Sequence, residues 1–267
     1  MSLPVMVCYG GGVNSTAMLV GLALHGERPD LIIFSDPGGE RPETYEYLAV
    51  MDGWLSARDW PSITRVRHSS PEHGAETLEA NCLREQFLPS LAYGFKGCSG
   101  KFKREPQDEF VAAWPPALAA WESGGVVEKL VGFDADEIHR GNAKQRNKRR
   151  YRTRYPLRDW DWGRRECIDA VERAGLPVPP KSSCFFCPAT RSPDIVALGR
   201  RHPDLLERAL AIERAGMANA TPGGSTIGLS RGRSWAAVVK ADAAQARLFD
   251  LAAADIPCDC YDGDDDD

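Results

Sequence analysis

The stretch VCYGGGVNSTAMLVGLALHG, residues 7–26, decides the fold. An apolar run over residues 3–9 meets three consecutive glycines, Gly10, Gly11 and Gly12. The short turn Val13-Asn14-Ser15-Thr16 then enters an amphipathic stretch. Strand, bare loop and helix in that order suit an anion. Glycines without a Cβ let a ligand reach the backbone amides. The unpaired N–H groups at a helix start, with its positive dipole end, favour phosphate oxygens. Ser15 and Thr16 add hydroxyl donors and can cap the helix. The alternative is a tight strand-to-helix turn with no ligand. Two common phosphate loops do not match: no Lys follows as GxxxxGK[ST] requires, and Ser15 stands where GxGxxG has its third glycine.

A chain of 267 residues is long enough for one large α/β domain, or a core domain with an appendage. No apolar run approaches the roughly 20 residues of a membrane span. The first residues lack the basic-then-apolar pattern of a signal peptide, so a cytoplasmic enzyme is expected, with no membrane partner. The net charge of −5 misleads, because Asp262 and Asp264 to Asp267 place five acids at the end of the chain. Residues 262–267 read as a solvated, disordered tail, which leaves the body near neutral.

Outward from the glycine loop, apolar runs predict strands over residues 30–36, 62–69 and 126–132. Helical patterns fall at 15–25, from 42 onward, at 74–92, and at 107–123 with a break at Trp114-Pro115-Pro116. Residues 94–106 read as a loop. Strands alternating with helices imply a parallel sheet with right-handed crossovers, doubly wound and Rossmann-like. Ligands in such sheets sit beyond the carboxyl ends of the strands. Gly10 to Ser15, Asp36, and Gly132 to Arg140 all fall there, and that convergence favours the ligand over the bare turn. Helices follow at 163–174, 193–215 and 241–253. The division expected is a nucleotide-binding domain over 1–160 and a helical extension over 161–267.

Residues 140–154, RGNAKQRNKRRYRTR, hold eight basic residues and no acid. Such a block is either a solvated face or a contact for phosphates, with Tyr151 and Tyr155 free to stack on bases of a nucleic acid.

The eight cysteines fall into groups. Cys8, Cys82 and Cys167 sit in strand or helix patterns and read as core thiols. Cys184 and Cys187 form a C-x-x-C before a proline, a spacing that lets both sulfurs bind one metal or cluster from a single turn. Cys98 lies beside Lys101, Lys103 and Arg104, surroundings that make a thiol a better ligand or nucleophile. Cys258 and Cys260 form a C-x-C near the end. The readings are a [4Fe–4S] cluster on Cys98, Cys184, Cys187 and a tail cysteine such as Cys260, a zinc on the same thiolates, or unligated thiols. Softness of the ligands suits iron–sulfur and zinc alike.

Three ordered motifs resemble the PP-loop superfamily of N-type ATP pyrophosphatases, in its phosphoadenylyl-sulfate (PAPS) reductase-like branch. Residues 10–15 fall on the pattern SGGxDS, with Gly10 for the first Ser and Asn14 for Asp. Residues 36–44, DPGGERPET, resemble DTGxxxPET, and residues 132–140 resemble G-x-x-x-x-E-x-x-R, placing Glu137 and Arg140. The resemblance covers residues 5 to about 190. It implies an adenine nucleotide, ATP or PAPS-like, with Mg²⁺. Gly10, Gly11, Gly12, Asn14, Ser15 and Thr16 would hold the phosphates. Asp36, Gly132 and Glu137 would line the nucleotide site. Lys101, Arg140 and Asn14 would act on the leaving or transferred anion. It implies adenylation with release of pyrophosphate, or sulfur transfer, on a nucleobase or small acceptor. It also favours iron–sulfur over zinc, since clusters occur on this fold. The branch's E-C-G-[IL]-H nucleophile motif does not occur, and PCDCYDG stands in its place. The alternatives are a PAPS or adenylyl-sulfate reductase, and a non-catalytic nucleotide- or nucleic-acid-binding module.

Overall fold

A computed structural model describes residues 3–137, 149–220, 226–230 and 232–254, with side chains described up to residue 245. The chain opens with β1 (Val5–Tyr9), α1 (Val13–Leu24), β2 (Leu31–Ser35), α2 (Pro42–Ser56) and β3 (Ile63–Val66). A two-residue hairpin, β4 (Ser69–Ser70) and β5 (Gly74–Ala75), leads to α3 (Leu78–Glu85). Next come α4 (Gly97–Ser99), a π-helical turn over Gly100–Arg104, α5 (Glu105–Ala112), α6 (Pro115–Glu122), β6 (Val127–Val131) and β7 (Tyr151–Arg154). Helices α7 (Pro156–Asp159), α8 (Arg164–Arg173), α9 (Ser192–Arg201), α10 (Pro203–Ala218) and α11 (Trp235–Ala254) complete it.

The protein is α/β, with five parallel strands in the order β3-β2-β1-β6-β7. Val7 of β1 stands opposite Ile32 on one side and Leu130 on the other. Every residue of β2, LIIFS, is buried, as a parallel strand covered on both faces requires. Residues of α1, α2 and α8 (Met18, Leu22, Leu48, Met51, Val171) pack with Val7, Ile32 and Leu130 on one face. Val111 of α5 and Ala117 of α6 pack with Met6, Ile33 and Val127 on the other. The sheet is therefore doubly wound. Chain order reverses between β1 and β6, and at that point the carboxyl ends of two neighbouring strands diverge and leave a crevice.

A third hydrophobic cluster joins chain segments far apart. Leu78 and Cys82 of α3, with Leu88, Ala92 and Phe102, pack against Cys184, Phe185 and Phe186 and against α9, α10 and Trp235. The sheet's own cluster runs across residue 160 to take in Leu157, Cys167, Val171 and Leu176.

Several elements differ from expectation. The stretch expected as a loop over 94–106 is mostly helical from Gly97 onward, and Pro106 sits in the first turn of α5, where its missing N–H costs nothing. The helix expected over 74–92 shrinks to α3: Thr77 caps it by accepting the Ala80 N–H at 3.0 Å, and Gln86 ends it at φ 52°. The run 193–215 divides into α9 and α10 at His202-Pro203, because proline cannot continue a helix interior. Strand β7 lies inside the stretch expected to meet phosphates.

Candidate functional site

The glycine loop leaves the end of β1 and enters α1 at the switch point. Gly12 is the N-cap of α1, in extended conformation, and no side chain caps the helix start. Ser15 Oγ donates to the Gly12 carbonyl at 3.0 Å, closing the first turn. Gly132, just past β6, lies against this turn: a Cβ there would stand 3.1 Å from the Asn14 carbonyl oxygen and the Ser15 Cα. A side chain at 132 would press the two strand exits apart.

Between them opens a cavity of about 370 Å³. Gly10, Gly12, Asn14, Ser15, Gly132 and Glu137 line it, as do Arg164, Lys181 and Ser182. The first six are residues that the sequence placed at a nucleotide. The last three were not foreseen. Arg164 opens α8 and Lys181 sits three residues before Cys184, and neither carries a local motif.

Asn14 is held from three sides. Its Nδ2 donates to Asp134 Oδ2 at 2.7 Å and to Glu137 Oε2 at 3.4 Å, and its Oδ1 accepts from Arg164 Nη1 at 3.0 Å. Asp134 is buried and also accepts the Glu137 N–H at 3.0 Å. An amide suits this position because it faces acids through its nitrogen and a guanidinium through its oxygen. Arg164 and Lys181 bring positive charge to a cavity whose one lining carboxylate, among the described residues, is Glu137.

Other candidates stand elsewhere. Gly11 has φ 71°, and a Cβ on it would lie 3.0 Å from Thr44 Cγ2, so its bareness serves the turn and the packing of α2. Thr16 is fully buried and shares a hydrogen bond with the Tyr9 hydroxyl at 3.1 Å. Asp36 Oδ1 accepts from the Gly38 amide and the Tyr45 hydroxyl, both at 2.7 Å, and Oδ2 accepts from Arg67 at 2.5 Å. Burial opposes its charge, yet those three donors hold the carboxyl below its ordinary value. Lys101 lines a separate cavity. Arg140 lies outside the described residues, as do Cys258, Cys260 and residues 140–148 of the basic run.

Tyr151, in the rest of that run, is buried edge-on to Trp121, and Tyr155, just past it, stacks on Phe133 at 5.7 Å. Arg152 pairs with Glu128 at 2.8 Å, and Arg154 pairs with Glu27 at 2.5 Å.

The thiols gather in the third hydrophobic cluster. Cys82 and Cys184 are buried in it, and Cys98 and Cys187 pack against it. Residues 182–185 reach two loops at the carboxyl end of the sheet: the Ser182 hydroxyl donates to the Gly10 carbonyl in the glycine loop, and the Phe185 N–H donates to the Gly39 carbonyl, between β2 and α2, at 2.8 Å. Lys103 Nζ donates to Glu40 Oε1 at 2.8 Å, and the Glu40 side chain is fully buried. Desolvation opposes the lysine charge, but Glu40 and the nearby Cys184 and Cys187 raise its pKa. Burial pushes the Cys184 thiol well above its ordinary range, raises Cys187 and takes Cys82 up to about 12. Desolvated thiols of this kind make poor free nucleophiles, and a bound cation would be needed to hold them as thiolates. Among the described residues, no three His, Cys, Asp or Glu side chains form a group that could hold a metal ion.

No family model matches the chain, and no curated protein matches it. Among the described residues no helix is long and apolar enough to cross a membrane.

Proposed function

We propose that this protein is a PP-loop enzyme of the PAPS-reductase-like branch that binds an adenine nucleotide, ATP or a PAPS-like relative, at the switch point of its sheet. One observation carries the reading: the cavity where Gly10, Gly12, Asn14, Ser15, Gly132 and Glu137 meet Arg164 and Lys181. The open amides of the α1 start and the two cations suit phosphate oxygens. Glu137 would supply a carboxylate oxygen for the Mg²⁺ that accompanies them. The reaction is adenylation or sulfur transfer on a nucleobase or small acceptor. In adenylation an acceptor oxygen bonds to the α-phosphorus, the α–β bond breaks, and pyrophosphate leaves. Arg164 and Lys181 stabilise the charge that develops on it.

The thiols fit a soft metal by donor chemistry, although they do not stand as a ready group. Cys98, Cys184 and Cys187 would hold a [4Fe–4S] cluster, or a zinc. A cluster there would supply an electron-carrying or sulfur-donating centre beside the nucleotide. The chain's own contribution is to bury Cys184 and half-bury Cys98 and Cys187, to set Lys103 and Glu40 beside them, and to tie Ser182 to the glycine loop.

Labelled ATP incubated anaerobically with the purified protein and candidate nucleoside acceptors tests this. AMP and pyrophosphate formed in equal amounts support adenylation. Sulfite from PAPS would favour the reductase instead. Absence of nucleotide binding would overturn both enzyme readings.

A further inference from the structure

A second cavity, about 460 Å³, is lined by Cys82 and Cys98 of the thiol group and walled by aromatic rings. Its inner wall is Leu78, Cys82, Leu88 and Phe102, all buried, with Cys98 beside them. Its outer wall is Phe87, Tyr93 and Phe95, which are 57%, 41% and 58% exposed. Three exposed aromatic side chains within nine residues, all facing one cavity, keep a large apolar area in water.

Their placement is built into the backbone. Tyr93 and Phe95 stack with centroids 6.5 Å apart and planes 26° from parallel. The Tyr93 hydroxyl accepts the Leu88 N–H at 3.2 Å, and Ser90 Oγ accepts the Cys98 N–H at 2.7 Å. Gly97 leaves room for Phe95, since a Cβ there would stand 2.9 Å from the ring.

The charges are also uneven. Glu85 lines the cavity, and Arg84 answers it at 2.9 Å. Lys101 lines it too, with Nζ 5.3 Å from the Phe102 ring centre, and is in no ion pair among the described residues. An apolar slot with aromatic walls and one unanswered cation fits a planar ring that carries an anion. The volume lies in the range of small-ligand sites, about 300–1,000 Å³.

We propose that this cavity is a second ligand site, separate from the glycine-loop cavity, and takes a nucleotide unit. The base stacks against Phe87, Tyr93 and Phe95, the phosphate meets Lys101, and Cys82 and Cys98 lie at the inner wall. This site differs from the phosphate contact that the sequence suggested for residues 140–154. A free nucleotide and a residue of a nucleic-acid strand share this chemistry.

The test uses the full chain with pyrophosphate held at saturating concentration, which occupies the glycine-loop cavity and offers no base to stack. 2-Aminopurine 5′-monophosphate is titrated in, and its fluorescence reports stacking. Saturable quenching is expected. Phe95→Ala and Phe87→Ala, both at exposed positions, should each weaken binding by about tenfold. Lys101→Ala should weaken the monophosphate but not the 2-aminopurine nucleoside. Tighter binding of a single-stranded hexamer carrying one 2-aminopurine would identify a strand as the source, and equal or weaker binding a free nucleotide. Quenching that is not saturable, or that both Phe variants leave unchanged, overturns the proposal. Octanoate displacing the probe at equal concentration also overturns it, because the site would then select apolar bulk and not a ring. Calorimetry with pyrophosphate alone separates the two readings: absence of pyrophosphate binding strikes the glycine-loop assignment, whereas probe binding and its dependence on Phe95 judge this cavity.

Discussion

The Ser182 hydroxyl donates to the Gly10 carbonyl across 172 residues of chain. That bond fastens the turn carrying Cys184 and Cys187 onto the loop that ends β1. Arg164, at the start of α8, makes a second long-range bond to the same region by donating to Asn14 at 3.0 Å. The glycine-loop cavity and the turn of the thiols are therefore joined by a direct hydrogen bond rather than by a flexible arm.

Asn14 stands where the resembling motif has Asp, and its contacts explain the amide. Asn14→Asp would set a carboxylate where Nδ2 now donates to Asp134 at 2.7 Å. Two carboxylates so close cannot both ionise. We expect thermal unfolding at pH 8 to show a loss of about 1–3 kcal/mol, smaller near pH 5, and pyrophosphate affinity to fall at least tenfold. Equal stability at both pH values would mean that the Asn14–Asp134 bond is not formed.

Cys184→Ser, Cys187→Ser and Cys98→Ser should each release the metal from anaerobically purified protein, as read by iron and zinc analysis and by visible absorbance. Cys82 packs in the same hydrophobic cluster and Cys260 lies outside the described residues, so whichever of Cys82→Ser and Cys260→Ser also loses the metal identifies the fourth ligand. Full metal content in every variant would end the ligand assignment.

Asp36 contributes to stability through its ionised form. Its carboxyl titrates below the ordinary value, so the unfolded chain takes up the proton first as pH falls. The contribution is complete above the unfolded value, about 4, and is lost as pH drops through the lowered folded value. Asp36→Asn should remove about 1–3 kcal/mol at pH 7 and flatten the acid limb of the stability curve. An unchanged acid limb would show that Arg67 and Tyr45 do not hold it.

Gly11→Ala should destabilise the fold by about 1–2 kcal/mol, since φ 71° and a Thr44 methyl 3.0 Å away both oppose a Cβ. Gly10→Ser should be nearly neutral, because its Cβ would meet Ser15 Oγ at an ordinary 3.7 Å. Chemical denaturation of the two variants checks the contrast, and equal losses would contradict it.

The parts of this fold legible in sequence are those where burial writes an apolar run. β1, β2 and β6 each bury most of their length and declare themselves, and three glycines between strand and helix fix the loop. β7 could not be read, because YRTR is an edge strand whose arginines are answered by Glu27 and Glu128, from distant parts of the chain. Glu213 is a similar case. It is buried in α10 and accepts N–H bonds from Leu229 and Trp235 at 2.7 Å, which the spacing of acids in a helix does not announce. At the candidate site, residue type was legible and direction was not. Thr16 and Asp36 have the right chemistry at the right strand ends, but their oxygens are committed to Tyr9 and to Tyr45, Arg67 and Gly38. Arg164 and Lys181 reach the cavity only through tertiary packing.

The central claim is that the switch-point cavity binds the phosphates of an adenine nucleotide. Calorimetric titration of ATP and of pyrophosphate into the wild-type chain, Arg164→Ala and Lys181→Ala tests it most directly. Both substituted residues are exposed, so folding should be kept. The account predicts one switch-point site per chain, which takes both ligands. Each substitution should weaken it by about 10- to 100-fold, as loss of a charge-assisted hydrogen bond worth about 1.5–3 kcal/mol requires. No heat of binding with the wild-type chain, or affinities that neither substitution changes, would contradict it.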